Sequence, residues 1–285
     1  MMAMVWYGWL GLAVLVVNQA LLPWQLEPLA RWFTPTMWTA YILLADALVL
    51  ARRGASLIHD QPREAAFMAT VSIPLWLVFE AYNLRLTNWA YFGVPEHPGL
   101  AALAYAWSFA TITPGLWQTA ALLEAWDVFG RGRGPAVRPP AGWIRTGMVV
   151  GAVFLIVPPL LPAPVRPWTF GLVWLGFALL LDPWNDCRGR PSFLGAWMRG
   201  DRGLAYRWLL AGLLCGFLWE FWNYWALGRW RYVGVPVLPD WKAFEMPVVG
   251  YLGFPPFALE AFAMYHFVRP WAAGWLPPAR SSPTG

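Results

Sequence analysis

The chain has 285 residues, of which 59% are hydrophobic and only 12% are charged. A soluble protein of this size could not cover its surface with so few charges, because ordinary soluble domains carry roughly 25%. The high apolar content also excludes a disordered chain. The net charge of +5 does not indicate nucleic-acid binding, since the arginines lie in short segments between apolar runs. The composition predicts an integral membrane protein.

Eight apolar runs follow one another, each long enough or nearly so to cross a ~30 Å hydrocarbon core as a helix. The first lacks a basic leader and a small-residue cleavage site, which favours a retained helix over a signal peptide. We therefore predict an all-α, polytopic membrane bundle of about eight transmembrane helices. The runs are residues 5–24, 35–51, 67–87, 100–126, 144–163, 168–184, 205–226 and 245–268.

Basic residues are unequally distributed between the two sides of this predicted bundle. Fourteen fall in the second, fourth and sixth loops and the C-terminal tail, including Arg131, Arg133 and Arg280, against six on the other side. Because cytoplasmic loops are enriched in Lys and Arg, we expect both termini in the cytoplasm, as in a protein of a bacterial inner membrane.

The second half of the chain repeats the first. Both halves contain E-x-x-N followed by W-x-Y-x-G-V-P, beginning at Glu80 and Trp89 and again at Glu220 and Trp230. Four helices per half predict two parallel four-helix repeats about an axis along the membrane normal. The expected division is a first repeat at 1–129, a linker at 130–142, a second repeat at 143–270 and a tail at 271–285. Alternatively, the repetition records only duplication of a scaffold.

Acids inside the apolar runs are functional candidates, because a charged side chain costs at least ~2.5 kcal/mol at a helix centre. Glu80 and Glu220 are each followed three residues later by an amide, Asn83 and Asn223, on the same helical face. Glu245 is expected to open the last helix at the same outer level.

We predict that Glu220, Asn223 and Glu245 line one cavity open to the outer leaflet. Glu220 or Glu245 would donate a proton, Glu80 would be the repeat counterpart, and the two asparagines would position the acids. In the alternative, the Glu–Asn pairs hydrogen-bond across the interface and only hold the halves together. The roles of four inner acids stay open, with two of them, Asp182 and Glu124, read as helix-end groups that reach water; the four are Asp46, Asp182, Glu124 and Glu260.

Aromatic residues surround the predicted acids. Aromatic faces stabilise cations by ~0.5–2 kcal/mol each, which suits carbocation chemistry, although a wall that binds lipid or pigment would use the same residues. No zinc, nucleotide or dinucleotide motif is present, so no metal and no cofactor is predicted. The predicted substrate contacts are Trp219, Trp222, Trp230, Tyr232, Trp89 and Tyr91.

An acid, eight intervening residues and then W-x-Y at a helix end resembles the heterodimeric type of lycopene cyclase and related integral-membrane carotenoid-modifying proteins. The matching segment runs from Glu80 to Tyr91, and its second copy is one residue longer. Pro239 followed by Glu245 is similar in placement to that family's proline-and-acid motif but lacks its paired glutamates. Family units also have about three helices where these have four. The resemblance implies a flavin-independent membrane enzyme that protonates an isoprenoid double bond and deprotonates the resulting cation.

Three functions are therefore open. The first is an intramembrane acid–base enzyme, of cyclase or isomerase type, acting on a carotenoid, isoprenoid or other lipid. The second is a non-catalytic subunit that binds carotenoid, quinone or lipid beside partner subunits of a larger membrane complex. The third is a transporter with a midplane site, which the predicted distribution of acids toward both membrane faces disfavours.

Overall fold

The structure is a computed structural model that describes residues 3–130, 132 and 134–276, so the predicted roles of Arg131, Arg133 and Arg280 in topology lie outside it. The described chain is mostly helical. Its α-helices are α1 Trp6–Leu21, α2 Phe33–Arg53, α3 Leu57–Asp60, α4 Pro62–Leu86, α5 Pro98–Ala110, α6 Ile112–Ala125, α7 Ala141–Ile156, α8 Phe170–Cys187, α9 Phe193–Met198, α10 Gly203–Trp225 and α11 Phe254–Val268.

Six helical segments within the described residues are long and apolar enough to cross a membrane. Helices suit this role because every backbone polar group is satisfied within the segment. Six of the eight predicted runs coincide with these segments. Of the other two, the run at 100–126 is divided at Thr111 into α5 and α6, and the run at 168–184 forms the 18-residue α8. The six segments are Trp6–Trp24, Phe33–Arg53, Pro62–Leu86, Ala141–Leu160, Gly203–Trp225 and Val248–Ala272.

Glycines allow the helices to pack closely. A Cβ at Gly11 of α1 would lie 2.5 Å from the backbone oxygen of Ala40 in α2, and one at Gly151 of α7 would lie 2.8 Å from that of Gly176 in α8. Small residues at such crossings are typical of membrane bundles, where close backbone approach supplies much of the packing energy. Glycines at these two positions therefore permit the close approach of α1 to α2 and of α7 to α8.

The all-α prediction is wrong at two short strand pairs. Strand β1 (Trp89–Phe92) pairs antiparallel with β2 (Arg229–Tyr232), and β3 (Lys242–Ala243) pairs with β4 (Met246–Pro247). The last helix consequently does not open at Glu245. Pro247 disfavours helical geometry at the preceding residue, and helical structure begins only with a 3-10 turn at Val248–Gly253.

An aromatic seam lies where α2 meets α10. The ring of Trp38, which is 1% exposed, lies 4.9 Å from that of Trp219 and 5.1 Å from that of Trp222. Buried aromatic side chains carry a large share of packing energy. This seam therefore packs the first half of the chain against the second.

Candidate functional site

The β1–β2 pair brings the W-x-Y motifs of both halves onto one face. Its register places Trp89 opposite Tyr232 and Tyr91 opposite Trp230. Successive strand residues point to opposite faces, so these four aromatic side chains share one face and the arginines of β2 share the other. On that second face, the Arg231 guanidinium lies 5.3 Å from the ring centroid of Phe92.

Glu80 is held by aromatic hydrogen-bond donors from its own half. Its Oε1 atom accepts from the indole nitrogen of Trp76 at 2.8 Å, from that of Trp89 at 3.2 Å and from the hydroxyl of Tyr91 at 2.6 Å. Two donors come from β1, and Trp76 lies one helical turn earlier on α4. The motif E-x8-W-x-Y is thus a closed hydrogen-bonded unit.

Glu220 repeats this arrangement with one donor fewer. Its Oε1 accepts from the indole of Trp230 at 3.3 Å and from the hydroxyl of Tyr232 at 2.7 Å. The position four residues earlier, which is Trp76 in the first copy, is Gly216, and the ring of Phe254 occupies the space beside it. Glu220 is fully buried, and its Oε2 forms no hydrogen bond of normal length with the described residues, although the backbone of Met246 approaches the carboxyl group.

The two asparagines bind strand backbone and not the glutamates, so their predicted contact with the acids is wrong. The Asn83 amide donates to the carbonyl of Trp89 at 2.8 Å and accepts from its N–H at 3.2 Å. Asn223 makes the same two bonds to Trp230, both at 2.9 Å. Each asparagine replaces a neighbouring strand at an open sheet edge and thereby fixes the tryptophan that reaches the acid.

A cavity of about 130 Å³ lies against the aromatic face of the strand pair, similar in size to an engineered 150 Å³ cavity that binds benzene. Its wall includes residues from α2, α4, α5, α6, α8, α10 and α11. The lining residues are Arg31, Thr34, Pro35, Trp38, Trp76, Trp89, Tyr91, Val94, Pro95, Ala104, Tyr105, Ser108, Phe109, Thr111, Ile112, Trp174, Trp219, Gly228, Arg229, Trp230, Tyr232, Phe254 and Phe257.

The predicted acids do not line this cavity. The lining omits Glu80 and Asn83, and it also omits the trio predicted to share one cavity, Glu220, Asn223 and Glu245. The reason is geometric, because the Trp and Tyr side chains that reach from the strands to the two repeat-related carboxyl groups form the wall. The side chain of Glu245 instead lies 3.6 Å from Arg231 and 4.0 Å from Arg229.

Of the six aromatic residues predicted to contact the substrate, five line the cavity. The exception, Trp222, packs edge-on against Trp38 and does not line it. The hydroxyls of Tyr91 and Tyr232 are protonated at neutral pH, as any phenol of ordinary pKa is, and burial and the adjacent carboxyl groups raise the pKa of both still further. A bound molecule therefore meets two neutral hydroxyls on a wall that is mostly aromatic and also contains Arg31 and Arg229.

Sequence reasoning missed Trp38 and Trp174 as cavity residues. Each lies eight residues before a buried aspartate, Asp46 or Asp182, and this shared W-x7-D spacing was the signal that could have found them. The two rings line the cavity from α2 and α8, one from each half of the chain.

Asp46 and Asp182 themselves are structural anchors. Asp46 accepts hydrogen bonds from Tyr7, Ser56, Ile58 and Gln118, all within 2.8 Å. Asp182 accepts from two backbone N–H groups at the start of α9 at 2.7 and 2.8 Å and is only 7% exposed. The expectation that Asp182 reaches water is therefore wrong.

The other two inner acids differ from each other. Glu124 does reach water, with a side chain 38% exposed and paired with Arg53 at 2.9 Å. Glu260 is fully buried, and neither carboxyl oxygen forms a hydrogen bond of normal length with the described residues; the backbone of Phe177 approaches it. Neither acid lines the cavity.

Within residues 3–130, 132 and 134–276, no cluster of three or more His, Cys, Asp or Glu side chains could hold a metal ion. Comparison of the chain with protein-family models, with curated proteins and with solved structures finds no match.

Proposed function

We propose that this protein binds the apolar part of a membrane lipid, of the isoprenoid class, in the cavity beneath the β1–β2 pair. The observation that carries the proposal is the composition of the cavity wall, in which aromatic rings predominate and the polar groups include the hydroxyls of Tyr91 and Tyr232. Ligand sites are typically apolar and aromatic cavities with a few placed polar groups. Partner subunits of a larger membrane complex would be consistent with this role.

We further propose the parallel architecture of two four-helix repeats, with α8 and the α5–α6 pair completing eight spans. The support is that Glu80 and Glu220 have equivalent hydrogen-bond partners and that the strands pair antiparallel with matching register, as a two-fold axis between them requires. Reporter fusions after Pro95 and Pro236 should report the outside of a bacterial inner membrane, and one after Pro139 the cytoplasm. If Pro95 and Pro139 fusions report the same side, the eight-span topology is wrong.

Filling the cavity tests the lipid-binding proposal. Ala104 of α5 lines the cavity, whereas Ala102, two residues earlier, is exposed and outside it. Lipid extracted from purified wild-type protein and identified by mass spectrometry should include an isoprenoid lipid that Ala104→Trp loses and Ala102→Trp retains. Identical lipid in all three preparations would refute the cavity as its site.

A second candidate function, an acid–base enzyme acting on an isoprenoid double bond, rests on one observation. The hydroxyls of Tyr91 and Tyr232 form part of the cavity wall and lie within 2.7 Å of the half-buried Glu80 carboxyl group and the fully buried Glu220 carboxyl group, respectively. Because the raised pKa makes each phenol a poor acid alone, the phenol would pass a proton to a ligand carbon as it takes one from the glutamic acid. Collapse of the cation would return a proton by the same route, giving isomerisation or cyclisation without net proton change.

Solvent deuterium separates this candidate from simple binding. An enzyme that protonates carbon incorporates deuterium into the bound lipid in D₂O, and Glu220→Gln should slow incorporation about 10²–10⁴-fold. The variant keeps the volume and the acceptor oxygen that Tyr232 uses, so the melting temperature should hardly change. Undiminished incorporation in Glu220→Gln would exclude Glu220 as the acid, and no incorporation by the wild-type protein would leave lipid binding alone.

A further inference from the structure

The β3–β4 hairpin belongs to a segment that the first half of the chain lacks. After the shared G-V-P sequence, the first half begins α5 at Pro98, whereas the second half continues through residues 237–247 before helical structure resumes at Val248. Residues 237–243 are all exposed, and the Trp241 side chain is 63% exposed. The exposed apolar side chains of this segment indicate an interaction surface.

Phe244, at the turn of the hairpin, packs onto an exposed stripe of α10. The centroid of its ring lies 5.6 Å from that of Phe217, 5.6 Å from that of Phe221 and 5.8 Å from that of Tyr224. Phe217 and Tyr224 are 51% and 37% exposed, and α10 is one of the six segments long and apolar enough to cross a membrane. The exposed stripe of such a helix contacts lipid in a membrane, so the turn of the hairpin lies on a lipid-facing surface.

The length of α10 gives the depth of this contact. Its 23 residues extend about 35 Å at about 1.5 Å per residue, so a centred, untilted helix passes each edge of the ~30 Å hydrocarbon core by about 2 Å. Phe221 lies four residues before the end of α10 at Trp225, which is about 6 Å below that end. Because Phe221 is the middle one of the three contacts, the Phe244 ring lies about 4 Å inside the hydrocarbon edge.

The residues beside Phe244 suit the boundary between hydrocarbon and headgroups. Trp241 is exposed, and Lys242 is the only lysine of the chain. Tryptophan is enriched at this boundary, and the stem of a lysine can follow apolar surface while its ammonium group reaches phosphate oxygens. The Glu245 carboxyl group lies 3.6 Å from the Arg231 guanidinium, and acids near hydrocarbon are paired in this way.

Hydrogen bonds within the segment satisfy backbone groups that lipid could not satisfy. Strand β3 pairs with β4, and the N–H of Val248 donates to the carbonyl of Trp241 at 2.8 Å. The Tyr251 hydroxyl donates to the carbonyl of Ala243 at 3.1 Å. These bonds hold the hairpin against the 3-10 turn that precedes α11.

We propose that the β3–β4 hairpin is a membrane anchor. The Phe244 ring is inserted into the hydrocarbon of the leaflet on the side of the β1–β2 pair, and Trp241 and Lys242 lie among the headgroups of that leaflet. The partner of this surface is phospholipid and not a second protein chain. The inference is independent of the lipid site proposed for the cavity, because no residue of the hairpin lines that cavity.

A spin label at residue 243 tests the proposal, because Ala243 is exposed and lies beside the anchor without being part of it. Cys187→Ser removes the exposed native cysteine, and Cys215 is fully buried. The Ala243→Cys variant in this background is labelled with a nitroxide and studied as the full chain in phosphatidylcholine nanodiscs. Collisions of the label with oxygen, which enters hydrocarbon, are compared with those of a polar nickel chelate, which stays in water.

Two further labelled variants calibrate the measurement. Leu214→Cys reports hydrocarbon, because Leu214 is 42% exposed on α10 and lies about 16 Å before its end. Glu96→Cys reports water, because Glu96 is exposed just after the G-V-P sequence of the first half. Nickel collisions at residue 243 should be at least about threefold rarer than at residue 96, since hydrocarbon excludes a polar complex. Oxygen collisions at residue 243 should approach those at residue 214.

Substitutions of Phe244 test its role as the anchor. Phe244→Ser should raise nickel collisions at residue 243 to the level at residue 96, whereas Phe244→Leu, which keeps an apolar tip, should leave them unchanged. An unchanged rate in Phe244→Ser would overturn the assignment of the anchor. If that variant does not fold, the comparison of residue 243 with residues 96 and 214 still decides.

Two results at residue 243 would overturn the proposal directly. Nickel collisions as frequent as at residue 96 would place the hairpin in water. Rare collisions with both oxygen and nickel would mean that a second protein chain covers the hairpin.

Discussion

Replacing Asn223 by alanine should destabilise the protein through the backbone of Trp230. The Asn223 side chain is fully buried and satisfies both the N–H and the carbonyl of Trp230. Alanine leaves both backbone groups unpaired, and each such group costs about 1–3 kcal/mol. The expected loss of unfolding free energy is therefore about 2–6 kcal/mol, which at roughly 2 °C per kcal/mol corresponds to a fall in melting temperature of about 4–12 °C.

Asn83→Ala provides the internal comparison. Asn83 makes equivalent bonds to Trp89 and also accepts a hydrogen bond from the Asn88 N–H at 2.9 Å, but its side chain is only half-buried. Water can therefore replace what is lost at all three backbone groups, and the fall should be smaller. Melting temperatures of both variants and the wild-type protein, measured by intrinsic fluorescence in one detergent, test this order. Equal shifts, or an Asn223→Ala shift below about 2 °C, would refute the role assigned to the two amides.

Two further stability predictions use the same melting assay. Gly216→Ala should destabilise by about 1–3 kcal/mol through overpacking, because the new Cβ would lie 2.2 Å from Phe254, whereas Gly142→Ala meets nothing within 4 Å; equal melting temperatures would contradict this. Asp46→Ala leaves four donors without an acceptor, three of them buried, and should cost about 3 kcal/mol or more. Glu124→Ala removes an exposed ion pair and should cost about 0–1 kcal/mol. The reverse order would contradict the anchor role of Asp46.

The helices could be predicted because apolar length is a local property of sequence. The six spans of sufficient length and hydropathy all fall on predicted runs. The β1–β2 pair could not be predicted in this way, because its partners are some 140 residues apart. The alternation of W-x-Y before G-V-P was compatible with strands, but only pairing between the halves makes a four-residue strand stable.

The aromatic wall was predictable because its residues repeat in both halves, whereas the position of the acids was not. E-x-x-N places Glu220 and Asn223 on one helical face, but which group a side chain reaches depends on the strand that crosses above it. The Asn223 amide hydrogen-bonds to the strand backbone at Trp230, and the Trp230 and Tyr232 side chains cover the carboxyl group of Glu220.

Photo-crosslinking tests most directly the claim that a lipid occupies the cavity. A photoreactive alkyl diazirine, activated in nanodiscs and mapped by peptide mass spectrometry, should label cavity residues such as Ala104, Tyr105 and Trp230 saturably. The label should be lost there in Ala104→Trp and retained in Ala102→Trp. Labelling confined to exposed positions on α1 and α7, such as Trp6 and Trp143, and unchanged by Ala104→Trp would contradict the account.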